Sequence, residues 1–334
     1  MTEAVKGNTA MDDYISNIGS QDGFLRIQAL EGLKKLTRLN EENRNWVAHS
    51  KSAIPSLLEL LSSSSSCEDD LKTKELALAI LLNLSVNDNL KEYMGSLEAI
   101  QCISNLIRYS DCSGSEELRE NGASALCSLA VVDKNKGKMG VGGAIEALVT
   151  MLQADPPLGA ALNALTELLI YNGNKALAVR AGAVPTLFNF LQDDNLAESS
   201  LAVLALVVAH MEGKKAISNV SGWMGALVDC IKSKGMQSKE NATAILLEML
   251  EYYPEKVREA DKVYDICSLL IRLSINGSSN VRRNASLLMK MVEMEFESYA
   301  QIGTHGYASA TDTGFESDVS SAPSSLRATS ELTD

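Results

Sequence analysis

The side chains that could do chemistry are few, and their spacing withholds the usual arrangements. The chain of 334 residues has three histidines, His49, His210 and His305. None stands at a metal-ligand spacing or beside a nucleophile it could activate. His210 closes a long helical pattern, where a positive charge suits the end of a helix dipole. Six cysteines (Cys67, Cys102, Cys112, Cys127, Cys230 and Cys267) are scattered without a CxxC pair. The N-terminus, MTEAVKGNTAMDD, has no apolar export segment, so they read as reduced thiols, most of them on apolar helix faces. Gly137–Gly143, GKMGVGG, lacks both the preceding strand and the Gly-Lys-Ser/Thr order of a phosphate loop, and reads as a turn between helices. Asn-x-Ser/Thr triplets begin at Asn83, Asn219, Asn241, Asn276 and Asn284, and without export none is a glycosylation site. No catalytic constellation, metal site or cofactor is expected. Function is therefore sought on a surface, and the question becomes which elements build one.

The stretch Pro157–Leu191 supplies the unit. Ala161, Leu162, Leu165, Leu168 and Leu169 recur at spacings of three and four, the pattern of a helix with one buried face. Asn172-Gly173 predicts a turn, and roughly Lys175–Ala181 a short helix ended by Gly182 in a left-handed cap. Pro185 falls at the start of a further helix, where its missing N–H costs nothing. One such unit leaves apolar faces uncovered and requires copies on either side. They are present. The position of Glu167 in its helix recurs at Lys35, Asn83, Ser128, Leu206, Glu248 and Lys290, at intervals of 48, 45, 39, 39, 42 and 42 residues. The following helix opens on Ser52-Ala53-Ile54-Pro55, Leu97-Glu98-Ala99-Ile100, Gly143-Ala144-Ile145-Glu146 and Gly182-Ala183-Val184-Pro185. Near Trp223 and Val263 only the apolar rhythm survives. A helical period of about 40 to 47 residues marks HEAT or armadillo arrays.

The wording of the unit, Ala-x-x-Leu-x-x-Leu followed by Asn174-Lys175 and Ala181-Gly182-Ala183-Val184-Pro185, resembles the armadillo repeat in the form found in plant proteins. Val281-Arg282-Arg283-Asn284-Ala285-Ser286-Leu287-Leu288 is similar to the last repeat of the plant U-box ubiquitin ligases. The resemblance covers residues 24–300. It implies an all-α, right-handed α-solenoid of six to seven armadillo repeats, with an N-terminal arm at 1–23 and a tail at 301–334. The first long helix, Phe24–Leu39, is expected to cap the array, with Glu42–His49, Ile54–Leu61 and Leu71–Ser85 following. Ser62–Asp70 and Asp111–Glu116 read as polar loops. The arm reads as loose, with one brief helix around Tyr14–Ile18. Twelve of the 34 tail residues are Ser or Thr, so the tail is expected to be disordered. It serves either as a solubilising segment or, around Phe315-Glu316-Ser317-Asp318, as a docking or phosphorylated one.

Composition supports this reading. Aromatic residues make up 5% of the chain, and the net charge of −13 disfavours nucleic acid, which selects basic surfaces. No run of eighteen apolar residues exists, so no membrane span is expected. The chain reads as a monomer of the cytosol, with entry to the nucleus left open.

What the resemblance implies about a site is a groove lined by the long helices, where a ladder of asparagines holds an extended peptide, since an amide donates and accepts at once. The ladder falls on Lys35, Asn83, Ser128, Glu167, Leu206, Glu248 and Lys290, of which only Asn83 is the family's residue. Import carriers also place tryptophans one turn earlier. Here those positions are Glu31, Ala79, Ser124, Asn163, Ala202, Ala244 and Ser286, which weakens that function. Trp46 and Trp223 fall on other helices and read as core. Lys35, Asn83, Ser128, Glu167, Glu248 and Lys290 are the candidate protein-binding residues. Glu167 and Glu248, with no groove-facing Lys or Arg expected nearby, either pair with a basic segment of a partner or remain solvated carboxylates. Asn83 either holds a peptide or satisfies a local carbonyl. The expected function is a non-enzymatic scaffold that binds partner proteins. The alternative is a substrate-recognition component or non-catalytic relative of a U-box ligase, since 23 residues before the first repeat are too few for the domain that docks the conjugating enzyme.

Overall fold

The computed structural model describes residues 3–63, 68–109, 115–154 and 158–308. Those residues form twenty α-helices and no strand. After α1 (Glu3–Ser16) the chain repeats a pattern of long, short and middle helix. The first two units are α2 (Gly23–Leu39), α3 (Glu41–His49) and α4 (Ala53–Ser62), then α5 (Glu68–Ser85), α6 (Asp88–Met94) and α7 (Leu97–Tyr109). Next come α8 (Glu116–Ala130), α9 (Asp133–Val141) and α10 (Ala144–Gln153), then α11 (Leu158–Leu168), α12 (Asn172–Arg180) and α13 (Ala183–Asn189). The last full units are α14 (Ala197–Val208), α15 (Met211–Ser218) and α16 (Trp223–Ser233), then α17 (Met236–Tyr252), α18 (Val257–Tyr264) and α19 (Ile266–Asn276). The final long helix is α20 (Ser279–Ala308).

The long helices stack in one series, each of α2, α5, α8, α11, α14, α17 and α20 touching the next. The middle helices α4, α7, α10 and α13 form a second row, and α9, α12 and α15 a third. The buried apolar residues make one continuous cluster from Met11 to Val292, as expected when every repeat completes its core on its neighbours. The three- and four-residue spacing in α11 buries Ala161, Leu162, Leu165 and Leu168.

The turn before each middle helix is set by backbone conformation more than by wording. Gly143, Gly182 and Gly222 all have positive φ, at 83°, 87° and 71°. Gly222 precedes Trp223, where the Gly-Ala-Val-Pro wording is lost, yet the left-handed turn remains. One repeat later Asp265 occupies the same turn at φ 50°, among the few L-residues that tolerate it.

Several expectations need correction. The arm read as loose is α1, which packs on α2. Met11, Tyr14 and Ile15 of α1, with Ile18 just past its end, join the core, so α2 is covered there rather than being the terminal cap. Asn172-Gly173 is the first turn of α12, because Tyr171 already takes the extended conformation of an N-cap. GKMGVGG is mostly the body of α9, and only Gly142-Gly143 form the turn. Glu68, Asp69 and Asp70 are the first residues of α5 rather than part of a loop. Glu116 likewise opens α8, with the Ser115 side chain accepting from the Leu118 N–H. α20 continues to Ala308, eight residues past the expected boundary of the tail. Phe315–Asp318, Cys67 and Cys112 lie outside the described residues. His210 is not the end of a helix but the N-cap of α15, its Nδ1 accepting from the Glu212 N–H at 3.3 Å. Trp223 is core, at 7% exposure; Trp46 is 38% exposed and donates from Nε1 to Asp12 Oδ1 at 3.0 Å.

Candidate functional site

The seven positions that share the place of Glu167 fall one on each of the seven long helices, which stack in series. Their local fates differ. Lys35 on α2 and Lys290 on α20, at the two ends of the row, are exposed. Asn83 and Ser128 are half-buried and spend their donors on the preceding long helix. Asn83 Nδ2 donates to Lys34 O at 3.2 Å and Thr37 Oγ1 at 3.0 Å, and Ser128 Oγ donates to Ser85 O at 2.6 Å. Both tie neighbouring repeats together, so Asn83 takes the local-carbonyl alternative. Glu167 on α11 is half-buried and makes no ion pair or hydrogen bond through its side chain among the described residues. Its charge reaches Cys127 on α8, whose thiol is pushed up first by burial and then by this carboxylate. Leu206 is half-buried, and Glu248 on α17 is held by Lys214 of α15.

The Lys214–Glu248 pair overturns the expectation that no cation answers the row. Lys214 also accepts no exposure penalty: its side chain is 14% exposed, lies 5.8 Å from the Tyr252 ring centroid, and donates to Glu248 O at 3.3 Å as well. It belongs to a column. Four residues after the N-caps Asn40, Asn87, Val132, Tyr171 and His210 stand Arg44, Lys91, Lys136, Lys175 and Lys214. Arg44 donates to Asn87 Oδ1 and Thr37 O, while Lys91 and Lys136 fold onto Asp88 and Asp133 of their own helices. Lys175 is half-buried and makes no ion pair among the described residues. The repeated Asn-Lys wording of α9 and α12 contained this column. Its one contact with the row, Lys214 to Glu248, was not visible because the partner lies one repeat away.

The same wording carries a second feature, one residue earlier. Asn135 Nδ2 donates to Lys91 O and to Leu129 O, both at 3.0 Å. Asn174 Nδ2 donates to Lys136 O and to Leu168 O, both at 2.9 Å. Each amide thus bridges the end of its own long helix to the short helix of the repeat before. Both residues are essentially fully buried. The asparagine ladder of this chain lies inside the stack.

No group of three or more His, Cys, Asp or Glu side chains among the described residues could hold a metal ion. Among them no helix is long and apolar enough to cross a membrane. Cys267 on α19 is pushed up to about 11, by burial first and by Asp261 second. At pH 8 its alkylation by iodoacetamide is expected to run about a hundredfold slower in the folded than in the urea-unfolded chain, since the thiolate is the nucleophile. Peptide mass spectrometry over pH 7 to 10 checks this; equal folded and unfolded rates contradict it.

Stacked three-helix repeats with these caps and turns define an armadillo solenoid. The profile described as "Plant U-box protein ARM repeat region" matches residues 12–308, and the chain belongs to that family. U-box domain-containing protein 8 of Arabidopsis thaliana is 30% identical over 295 residues, covering 86% of this chain and 75% of that protein. U-box domain-containing protein 17 of the same plant is 29% identical over 304 residues, covering 87% of this chain but 40% of its own length. Among solved structures, an engineered protein superposes with a TM-score of 0.69 at 18% identity, covering 85% of this chain and 68% of that one. A designed armadillo repeat protein in complex with the peptide (KR)4 gives 0.59 at 19% identity, over 71% and 98%.

Proposed function

We propose that this chain works by binding rather than by catalysis, and that the long-helix row takes a basic segment of a partner protein over its middle repeats. The observation that carries it is the charge order along the row. Cations stand at the ends (Lys35, Lys290), neutral side chains at Asn83, Ser128 and Leu206, and the free carboxylate of Glu167 near the centre. Glu248 adds a carboxylate that Lys214 only partly covers, since its side chain is still 43% exposed. A basic segment gains at Glu167 and is repelled at both ends, which fixes where it lies. The designed armadillo protein solved with a (KR)4 peptide supports this reading. The kinship with U-box proteins favours a role in recognising the substrates of ubiquitin ligation as the biological setting of that binding.

The test is titration calorimetry with (KR)4 as probe. Glu167→Lys is expected to weaken binding at least about tenfold while leaving the urea midpoint unchanged, because a half-buried side chain without partners supports no neighbour. Glu248→Lys is a poorer test, since it also strands Lys214. Equal affinity of wild type and Glu167→Lys would remove the row as the binding surface.

A further inference from the structure

Where the end of α16, the start of α17 and the body of α19 meet lies a cleft of about 390 Å³, lined by none of the row residues. Its floor is apolar: Ile231, Leu269 and Leu273 are buried, and Met236 lies beside them 45% exposed. Its rim is basic, with Lys232, Lys239 and Arg272. None of the three makes an ion pair or side-chain hydrogen bond among the described residues. Lys34, Lys74, Lys134, Lys234 and Lys256 are by contrast answered by carboxylates. Nearby Glu240 makes no ion pair with the rim: its carboxylate accepts from Ser278 Oγ at 2.5 Å and Asn280 Nδ2 at 3.1 Å, bonds that keep it ionised, and three cations against its one charge leave the rim net positive.

We propose that this cleft is a second binding site, for an acidic segment of a partner protein that seats one aliphatic side chain between flanking carboxylates. Three like charges around one cleft repel one another, and an anionic ligand relieves that repulsion while the apolar floor takes its side chain. The volume lies at the lower end of the range for ligand clefts, which fits one side chain and its adjoining backbone rather than a folded surface. The site is opposite in charge preference to the row, so the two faces select different segments.

The probe is a fluorescein-labelled peptide with three acidic residues on each side of one leucine, followed by fluorescence anisotropy at low salt. Wild type is expected to bind it saturably. Lys232→Glu/Arg272→Glu weakens binding at least about tenfold, and Met236→Ser weakens it several-fold with all charges intact. A peptide with serine in place of leucine also binds several-fold more weakly. Glu167→Lys leaves the affinity for this probe unchanged, which separates the site from the row. Circular dichroism and urea midpoints confirm that the variants fold, since the replaced side chains are exposed. The proposal is overturned by absence of saturable binding or by an unchanged affinity in the charge-reversed variant. Equal binding of the serine peptide, or equal competition by a single-stranded oligonucleotide, also overturns it, because either means a diffuse attraction for anions. Self-association of the wild-type chain in sedimentation velocity, lost in Lys232→Glu/Arg272→Glu, would overturn it in favour of a second copy as occupant.

Discussion

Gly213→Ala is expected to destabilise the protein by about 2 kcal/mol or more, although alanine is the better helix former. Gly213 lies in the first turn of α15, and on propensity alone the change should gain up to about 1 kcal/mol. The backbone leaves no room for it. A Cβ built there would collide with the carbonyl oxygen of Val207, with the carbonyl carbon at 2.7 Å and Val207 Cγ1 at 2.8 Å. The obstacle is the end of α14, which cannot rotate aside as a side chain would, and overpacking of this kind costs about 1–3 kcal/mol or more. Gly159 in α11 is the control. A Cβ there meets nothing within 4 Å, so Gly159→Ala should be neutral or stabilise by up to about 1 kcal/mol. Urea denaturation of both variants decides the matter, and parallel shifts in one direction would mean that propensity, not packing, rules at Gly213.

Gly213 also shows where the sequence could be read and where it could not. It holds the place of Asn135 and Asn174, three residues after the N-cap, at intervals of 39. With Asn there, an amide reaches the last carbonyls of the long helix; with Gly, the two backbones close directly. The period of about 42 residues and the apolar faces were legible because each repeat buries the same positions. α1 was obscured because its core residues, Met11, Tyr14 and Ile15, with Ile18 just past its end, fill less than one repeat. The Lys214–Glu248 pair joins residues 34 apart on two helices, and the basic cleft gathers residues from Ile231 to Leu273, so neither leaves a local pattern. The groove ladder was placed by family wording, whereas the asparagines that bridge repeats sit on the short helices. At the ends of α8 and α11 the amide gives Leu129 O and Leu168 O a second donor beside the Val132 and Tyr171 N–H groups.

That bridge makes Asn174→Ala the second large effect. Its Nδ2 satisfies Leu168 O at the end of α11 and Lys136 O in α9, and no water reaches a side chain with 1% exposure. Removing the amide leaves Leu168 O with only the Tyr171 N–H at 3.3 Å, breaks the link to Lys136 O and opens a small void, at a cost of about 1–3 kcal/mol. Asn174→Asp should cost more than alanine, because a carboxylate would face the same two carbonyls with no donor between them. The preceding repeat is already shaped for the amide: a Cβ on Gly140 would collide with Asn174 Oδ1, so Gly140→Ala should reproduce part of the loss. In a solenoid each repeat is stabilised only through its neighbours, so the damage should concentrate at the α9–α12 boundary. Hydrogen exchange should then show α9 and α12 losing protection before α2 and α3 do. If Asn174→Ala instead unfolds at the wild-type urea midpoint with unchanged exchange in α12, the buried bridge contributes nothing. Cohesion between repeats would then rest on apolar contact alone.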